Sequence, residues 1–256
     1  MDQLYQNIAI TGASSGLGRA LALAYAHPGA TLHLAGRDAA RLAETAATAR
    51  ALGATVTETT LDVTDQAASK AWITAAAPLD LVIANAGISI GPGDAHFETP
   101  ENIRALIATN IDGVFNTVLP AIDLMRTQPA GAGGQKGRIA IVGSIAGLMA
   151  LPTSPTYSAT KALLDTWVTA TTRSAAREGI GLTLIRPGFI RTPMTAINPY
   201  NMPGIMDAGD AAKIIRDGLA AQKTYITFPW WLALLARLSR LAPPALFDSV
   251  KRKPPG

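Results

Sequence analysis

Short runs of consecutive apolar residues alternate with longer stretches in which apolar positions recur every three to four residues, almost to the end of the chain. The short runs predict strands at Asn7–Thr11, Thr31–Ala35, Thr55–Leu61, Asp80–Ala84, Arg138–Val142, Leu182–Arg186 and Thr224–Phe228. Several of them (IAIT, LVIA, IAIV) are apolar throughout, the pattern of strands covered on both faces in a parallel sheet. The longer stretches predict helices over Gly18–Tyr25, Ala39–Leu52, Asp65–Ala76, Glu101–Met125, Tyr157–Glu178 and Asp210–Ala220. Strand–helix–strand repetition calls for crossover connections, and so for a doubly wound, mostly parallel, seven-stranded α/β sheet flanked by helices.

No shift in composition marks a second domain, and 256 residues suit one large α/β unit, here residues 1–228. Gln128–Gly137 reads as a glycine-rich connector. Pro187–Gly209 has three further prolines and no periodicity, and loops of that length in a compact domain usually bind or cover something. Residues 229–256 form an apolar, basic extension. Between Trp230 and Leu241, the residues Trp230, Trp231, Leu234, Leu235, Leu238 and Leu241 fall on one helical face, and Pro243-Pro244 ends the pattern. That helix is too short to span a bilayer, so it is expected to pack on the core or a partner subunit, with peripheral membrane contact as the alternative.

Composition narrows the chemistry. With 48 % hydrophobic and 16 % charged residues the chain folds rather than staying disordered. It has no cysteine, which removes disulfides, thiolate metal sites and a cysteine nucleophile. His27, His33 and His96 are scattered, so no metal site is expected. The net charge of +4 is mostly dispersed, apart from Lys251-Arg252-Lys253, which argues against nucleic acid. No uninterrupted apolar run reaches the ~18–20 residues of a membrane span. The opening MDQLYQNIAI has Asp2 and no basic cluster, so a cytoplasmic location is expected.

Candidate chemistry begins at the first strand, which runs into Thr11-Gly12-Ala13-Ser14-Ser15-Gly16-Leu17-Gly18 and then a helix. Between a first strand and a first helix, such glycines permit a tight turn, close approach to a diphosphate and close helix packing, with helix N–H groups aimed at the phosphates. Tyr157 and Lys161, four apart on a helix, share a face. A nearby ammonium favours the phenolate and so suits a tyrosine to exchange protons near neutral pH. Ser144 stands at the carboxyl end of the fifth strand, the edge where open α/β sheets bind ligands. The second strand ends in Gly36-Arg37 with no acid there, and Arg37 offers a permanently charged fork suited to the 2′-phosphate of NADP(H) rather than the free hydroxyl of NAD(H). The alternative is that Arg37 is a solvated loop arginine, with Asp38 beside it cancelling part of its charge.

With TGASSGLG come Asp62-Val63, Asn85-Ala86-Gly87, Asn110, Ser144, Tyr157-x-x-x-Lys161 and Pro187-Gly188-x-x-x-Thr192, in order. Over roughly residues 5–228 the chain resembles the short-chain dehydrogenase/reductase family, compact single-domain type. The resemblance implies a Rossmann fold and a homodimer or homotetramer. It implies that Gly12, Ser14, Ser15, Gly16, Leu17, Gly18, Arg37, Asp62 and Val63 hold the adenosine half of the cofactor. Asn85, Ala86 and Gly87 would lie beside it, and Pro187, Gly188, Ile190 and Thr192 would hold the carboxamide. Ser144 would bond the reacting oxygen, Tyr157 would transfer the proton, Lys161 would also grip the ribose, and Asn110 would complete a proton relay. The expected activity is NADP(H)-dependent interconversion of an apolar ketone or aldehyde and its alcohol. Its substrate wall would comprise Ile145, Leu148, Met149 and Leu151, with Met194, Ile197, Tyr200, Met202, Ile205 and Met206 from the long loop, the alternative being that many of these pack against the domain or a second subunit. The other classes weighed are a cofactor-sensing regulator or scaffold, which typically loses the tyrosine or lysine, and a peripheral membrane reductase for lipid-like substrates.

Overall fold

Ile8 and Ile10 are fully buried in one core cluster and Ala9 in another, as a strand covered on both faces requires. This strand, β1 (Asn7–Thr11), lies inside a seven-stranded sheet in a computed structural model that describes residues 5–90, 97–131, 134–196, 198 and 201–239. Its other members are β2 (Thr31–Gly36), β3 (Thr55–Thr60), β4 (Leu81–Ala84), β5 (Gly137–Val142), β6 (Ile180–Pro187) and β9 (Tyr225–Phe228). They lie in the order β3-β2-β1-β4-β5-β6-β9, every pair parallel. Parallel strands need crossovers, supplied by α1 (Gly16–Tyr25), α2 (Ala39–Ala51), α3 (Gln66–Ala75), α4 (Pro100–Ile107), α5 (Gly113–Thr127), α6 (Pro155–Arg177) and α8 (Ala208–Ala220). One face of the sheet is covered by α1, α2 and α8 through Leu21, Leu42 and Ile215. The other is covered by α3, α5 and α6 through Ile73, Val118 and Leu164. This is the doubly wound α/β fold that the apolar runs predict.

Two regions differ from the sequence pattern. The single helix expected over Glu101–Met125 is two helices joined by a π turn, Ala108–Asp112. Within it the buried Asn110 exchanges hydrogen bonds with the backbone of Ile88, taking the Ile88 N–H at 2.8 Å and giving its amide to the Ile88 carbonyl at 2.9 Å. Taken together, Pro100–Thr127 is long and apolar enough to cross a membrane by length and composition alone. Half of its most apolar window is nevertheless buried, α5 packing on β4, β5 and β6.

The long loop also has internal order: β7 (Ile190–Arg191), a turn of helix α7 (Pro193–Ala196) and β8 (Met206–Asp207). The β7 and β8 strands pair in parallel, and Arg191 Nε lies 2.7 Å from Asp207 Oδ1. Strands of two residues leave no periodicity to read. Past β9, α9 (Trp230–Ser239) packs on β9 and on a short 3-10 turn, Ile145–Leu148. The expected end of that helix at Leu241 lies outside the described residues.

Candidate active site

From β1 the chain proceeds outward to β2 and β3 on one side and then returns to lay β4, β5 and β6 on the other. The reversal leaves a crevice at the carboxyl ends of β1 and β4, the usual ligand position in such sheets. A cavity of about 520 Å³ lies there. It is lined by Gly12, Ser14, Ser15, Gly16, Leu17 and Gly18 from the β1–α1 turn, by Arg37 after β2, and by Asp62 and Val63 after β3. Asn85, Ala86 and Gly87 enter after β4, Ser144 after β5, Tyr157 and Lys161 from α6, and Pro187, Gly188, Ile190, Thr192 and Met194 from the long loop.

The β1–α1 turn is pinned from β4. The Thr11 hydroxyl accepts the N–H groups of Asn85 and Ala86 at 3.0 and 3.1 Å, and the Asn85 amide donates to the Thr11 carbonyl at 2.9 Å. Gly12 has φ +69°, and a β-carbon on Gly18 would stand 2.1 Å from the Gly12 carbonyl oxygen. A side chain would therefore fill the cradle that the turn and the N-terminus of α1 form. That cradle suits a diphosphate, because unsatisfied N–H groups and the helix dipole both favour an anion.

At the adenosine end, Arg37 Nη1 lies 3.9 Å from Asp62 Oδ2, and both side chains are largely solvated. The Thr64 backbone N–H, with the Thr64 hydroxyl and Arg37, holds the Asp62 carboxyl below its ordinary range. Asp38 turns to Arg41 and not to Arg37. It caps α2 by accepting the Arg41 N–H, and its other oxygen pairs with Arg41 Nε at 2.7 Å. Arg41 lines the same cavity and was missed; its spacing of four from Arg37, at the start of a helix, is the signal that could have marked it. Ser14 completes this corner, its Oγ 3.1 Å from where a β-carbon on Gly36 would stand.

At the opposite end, Lys161 is buried and donates a hydrogen bond to the Val142 carbonyl at 2.8 Å. Burial pushes its ammonium down to about 8. Its Nζ stands 5.7 Å from the centroid of the Tyr157 ring. Ser144 Oγ accepts the Ala146 N–H at 3.0 Å, an arrangement that keeps its own proton for donation. The 3-10 turn after it is clamped to α6. Ser158 donates to the carbonyls of Ala146 and Met149, and Gly147 lies so close that a β-carbon would be 2.7 Å from the Lys161 carbonyl carbon. Ser144, Tyr157 and Lys161 are thus set by one rigid contact.

Asn110 is near this group but does not line the cavity. Its side chain is spent on Ile88 and, at 3.3 Å, on the Thr160 hydroxyl. The expected apolar wall is also rearranged. Ile145 and Leu148 are buried beneath α9 against Ala233 and Ala236, with Met149 packed on them, because the 3-10 turn faces the helix and not the cavity. Leu151 is half-buried and outside the cavity, as are Met202 and Ile205, while Met206 packs on the main core. Ile197 and Tyr200 lie outside the described residues. Of that wall Met194 is the member the structure places in the cavity, and Ile88 joins it unforeseen.

Comparison with known proteins agrees with this architecture. The family description "short chain dehydrogenase" matches residues 6–201. An uncharacterized oxidoreductase of Myxococcus xanthus (strain DK1622) is 36 % identical over 97 % of this chain and 97 % of its own length. Among solved structures, a short-chain dehydrogenase from Sphingobium yanoikuyae in complex with NADPH superposes with a TM-score of 0.79, at 24 % identity and 98 % coverage of both chains. A short-chain dehydrogenase/reductase from Burkholderia phymatum in complex with NAD gives a TM-score of 0.82, at 24 % identity and 100 % coverage of both. With its sheet order, glycine turn and family match in agreement, the chain belongs to the short-chain dehydrogenase/reductase family.

Proposed function

We propose that this protein is an NADP(H)-dependent oxidoreductase that interconverts an apolar ketone or aldehyde and its alcohol. The observation that carries the reading is one cavity with a glycine cradle and two arginines at one end and Ser144, Tyr157 and Lys161 at the other. The glycine turn and the N-terminus of α1 would hold the diphosphate, and Asp62 and Val63 the adenine. Asn85, Ala86 and Gly87 would flank the cofactor, Lys161 would hold the ribose, and Pro187, Gly188, Ile190 and Thr192 the carboxamide. When bound, the nicotinamide supplies or accepts the hydride.

The rest is the work of this chain. Ser144 would donate a hydrogen bond from its hydroxyl to the substrate oxygen and so orient it. Tyr157 gives that oxygen a proton in reduction and takes it back in oxidation. The Lys161 ammonium stabilises the phenolate that forms. Asn110 acts as a positioning residue, tying the π turn to the loop after β4 at Ile88. An apolar substrate is favoured because Ile88, Val142 and Met194 line the cavity with Tyr157, whereas Arg37, Asp38, Arg41 and Asp62 gather at the far end. NADPH oxidation followed against a panel of apolar ketones and aldehydes tests the reading, and no turnover with any of them counts against it.

The two solved neighbours carry different cofactors, so the choice rests on residues of this chain. Arg37, Arg41 and Ser14 make a corner fit for a 2′-phosphate, and a charge-assisted hydrogen bond of about 1.5–3 kcal/mol is worth roughly ten- to a hundredfold in affinity. Arg37→Asp is therefore expected to raise KM for NADPH at least about tenfold and leave that for NADH equal or lower. Equal KM values before and after the substitution would remove Arg37 from the cofactor site. We place the enzyme in the cytoplasm as a homodimer or homotetramer. Ile107, Leu119 and Leu163, exposed on α4, α5 and α6, offer a second copy an apolar surface.

A further inference from the structure

The face of α9 that its sequence marks as apolar is turned away from the domain. Trp230 keeps 73 % of its surface exposed, and Leu234, Leu235 and Leu238 keep between 49 % and 56 %. The buried residues of the helix are small, Ala233 and Ala236, which pack on Ile145 and Leu148 with Leu232 partly buried beside them. A helix of a folded domain normally does the reverse, burying its large apolar side chains. The helix is nevertheless firmly seated. Its small inward side chains let it lie close to the 3-10 turn, and the Trp231 ring comes within 2.9 Å of where a β-carbon on Gly204 would stand. The large side chains are therefore displayed on a rigid ledge, one packing layer from Ser144.

Charge identifies what covers that ledge. Residues 229–256 contain five Lys or Arg and a single acid, Asp248, so this segment carries a net +4, as much as the whole chain. Arg237 stands in the last turn of α9, and Arg240 follows it. A second copy bound through the same helix would bring another Arg237 and another +4 by sequence, like charge on like. An anionic lipid surface brings the opposite sign, and indole rings beside aliphatic side chains suit its headgroup layer. Ten residues make a helix about 15 Å long, half the ~30 Å hydrocarbon core and too short to cross it. We propose that α9 is a peripheral docking ledge for an anionic lipid surface, with its Trp and Leu face in the headgroup layer and its basic residues on lipid phosphates.

The test is co-sedimentation of the full chain with vesicles of phosphatidylcholine alone and of phosphatidylcholine with phosphatidylglycerol. Neither cofactor nor substrate is present, so failure here leaves the oxidoreductase reading untouched. The protein is expected to sediment with the phosphatidylglycerol vesicles, with a gain of about fivefold for each basic residue engaged and a loss on adding salt. The triple variant Trp230→Ser, Leu234→Ser, Leu235→Ser should lose binding at an unchanged melting temperature, since all three side chains are exposed. Arg237→Glu with Arg240→Glu should weaken it. Equal sedimentation with both vesicle types, or unchanged binding by the triple-serine variant, overturns the proposal. So does a fall in the oligomeric mass of the free triple-serine variant, which would assign the ledge to a second copy.

Discussion

Tyr157→Phe is expected to lower kcat by on the order of 10²–10⁴, the usual contribution of a positioned general acid, with the Kd for NADPH close to that of the unaltered protein. Phenylalanine keeps the ring that lines the cavity and removes the hydroxyl that moves the proton, so binding and chemistry separate. Stopped-flow hydride transfer and fluorescence titration of NADPH measure the two halves independently, and retained turnover would sink the assignment. Lys161→Met makes the complementary case. It too should lose turnover, yet the protein should become more stable at pH 7. Burial holds the Lys161 ammonium down at about 8 against an ordinary 10.5. Between those values the unfolded chain binds more protons than the folded one, so stability rises with pH across the window, and below it the buried charge costs on the order of 3 kcal/mol. Losing the hydrogen bond to Val142 returns about 1 kcal/mol of that gain. The advantage of the methionine variant should therefore shrink as pH climbs from about 8 to about 10.5, which chemical denaturation at several pH values would reveal.

Gly18→Ala should be the most damaging glycine-to-alanine change among the described residues. The added carbon would stand 2.1 Å from the Gly12 carbonyl oxygen and 2.5 Å from the Asn85 amide nitrogen. The first of these is backbone, and it belongs to a turn already held by Thr11 and Asn85, so neither α1 nor the turn can yield cheaply. Overpacking of this kind costs about 3 kcal/mol or more, roughly 6–12 °C in Tm for a chain of this size. NADPH should then no longer stabilise the folded state. A melting curve within a degree of the unaltered protein, still shifted upward by NADPH, would show that the close approach of α1 to the turn is dispensable.

Much of this was legible in the chain. Strands buried on both faces announce themselves as unbroken apolar runs, and so the order of β1, β4 and β5 with their helices could be written down. The glycine turn, Ser144, Tyr157 and Lys161 were legible because each has a residue type that the local geometry nearly demands. What was not legible depends on partners distant in sequence. The π turn at Ala108–Asp112 arises because Asn110 reaches Ile88, and helical periodicity does not register one extra residue. The partner of Asp38 became Arg41 once α2 began where it does, since a helix cap draws the carboxylate back over its own first turn. Ile145 and Leu148 look like substrate contacts because they follow Ser144. Their true neighbours, Ala233 and Ala236, lie far along the chain, and alternation of apolar residues does not say which side an extension comes to rest on.

Of the seven strands of the sheet, the one made first lies inside it, between β2 and β4. β1 emerges from the ribosome with neither neighbour complete, and β4, its second partner, ends only at Ala84. The cavity needs residues from Gly12 through Thr195. At about 5–20 residues per second, that span takes roughly 10–40 s to synthesise. Throughout the interval the nascent chain exposes an apolar strand that has no finished sheet to join and no site that a cofactor could stabilise. Mass action by bound cofactor, which protects the finished enzyme, begins only after the long loop is out. The interval of greatest exposure to aggregation is therefore written into the strand order, and slowing synthesis before Thr195 should lengthen it.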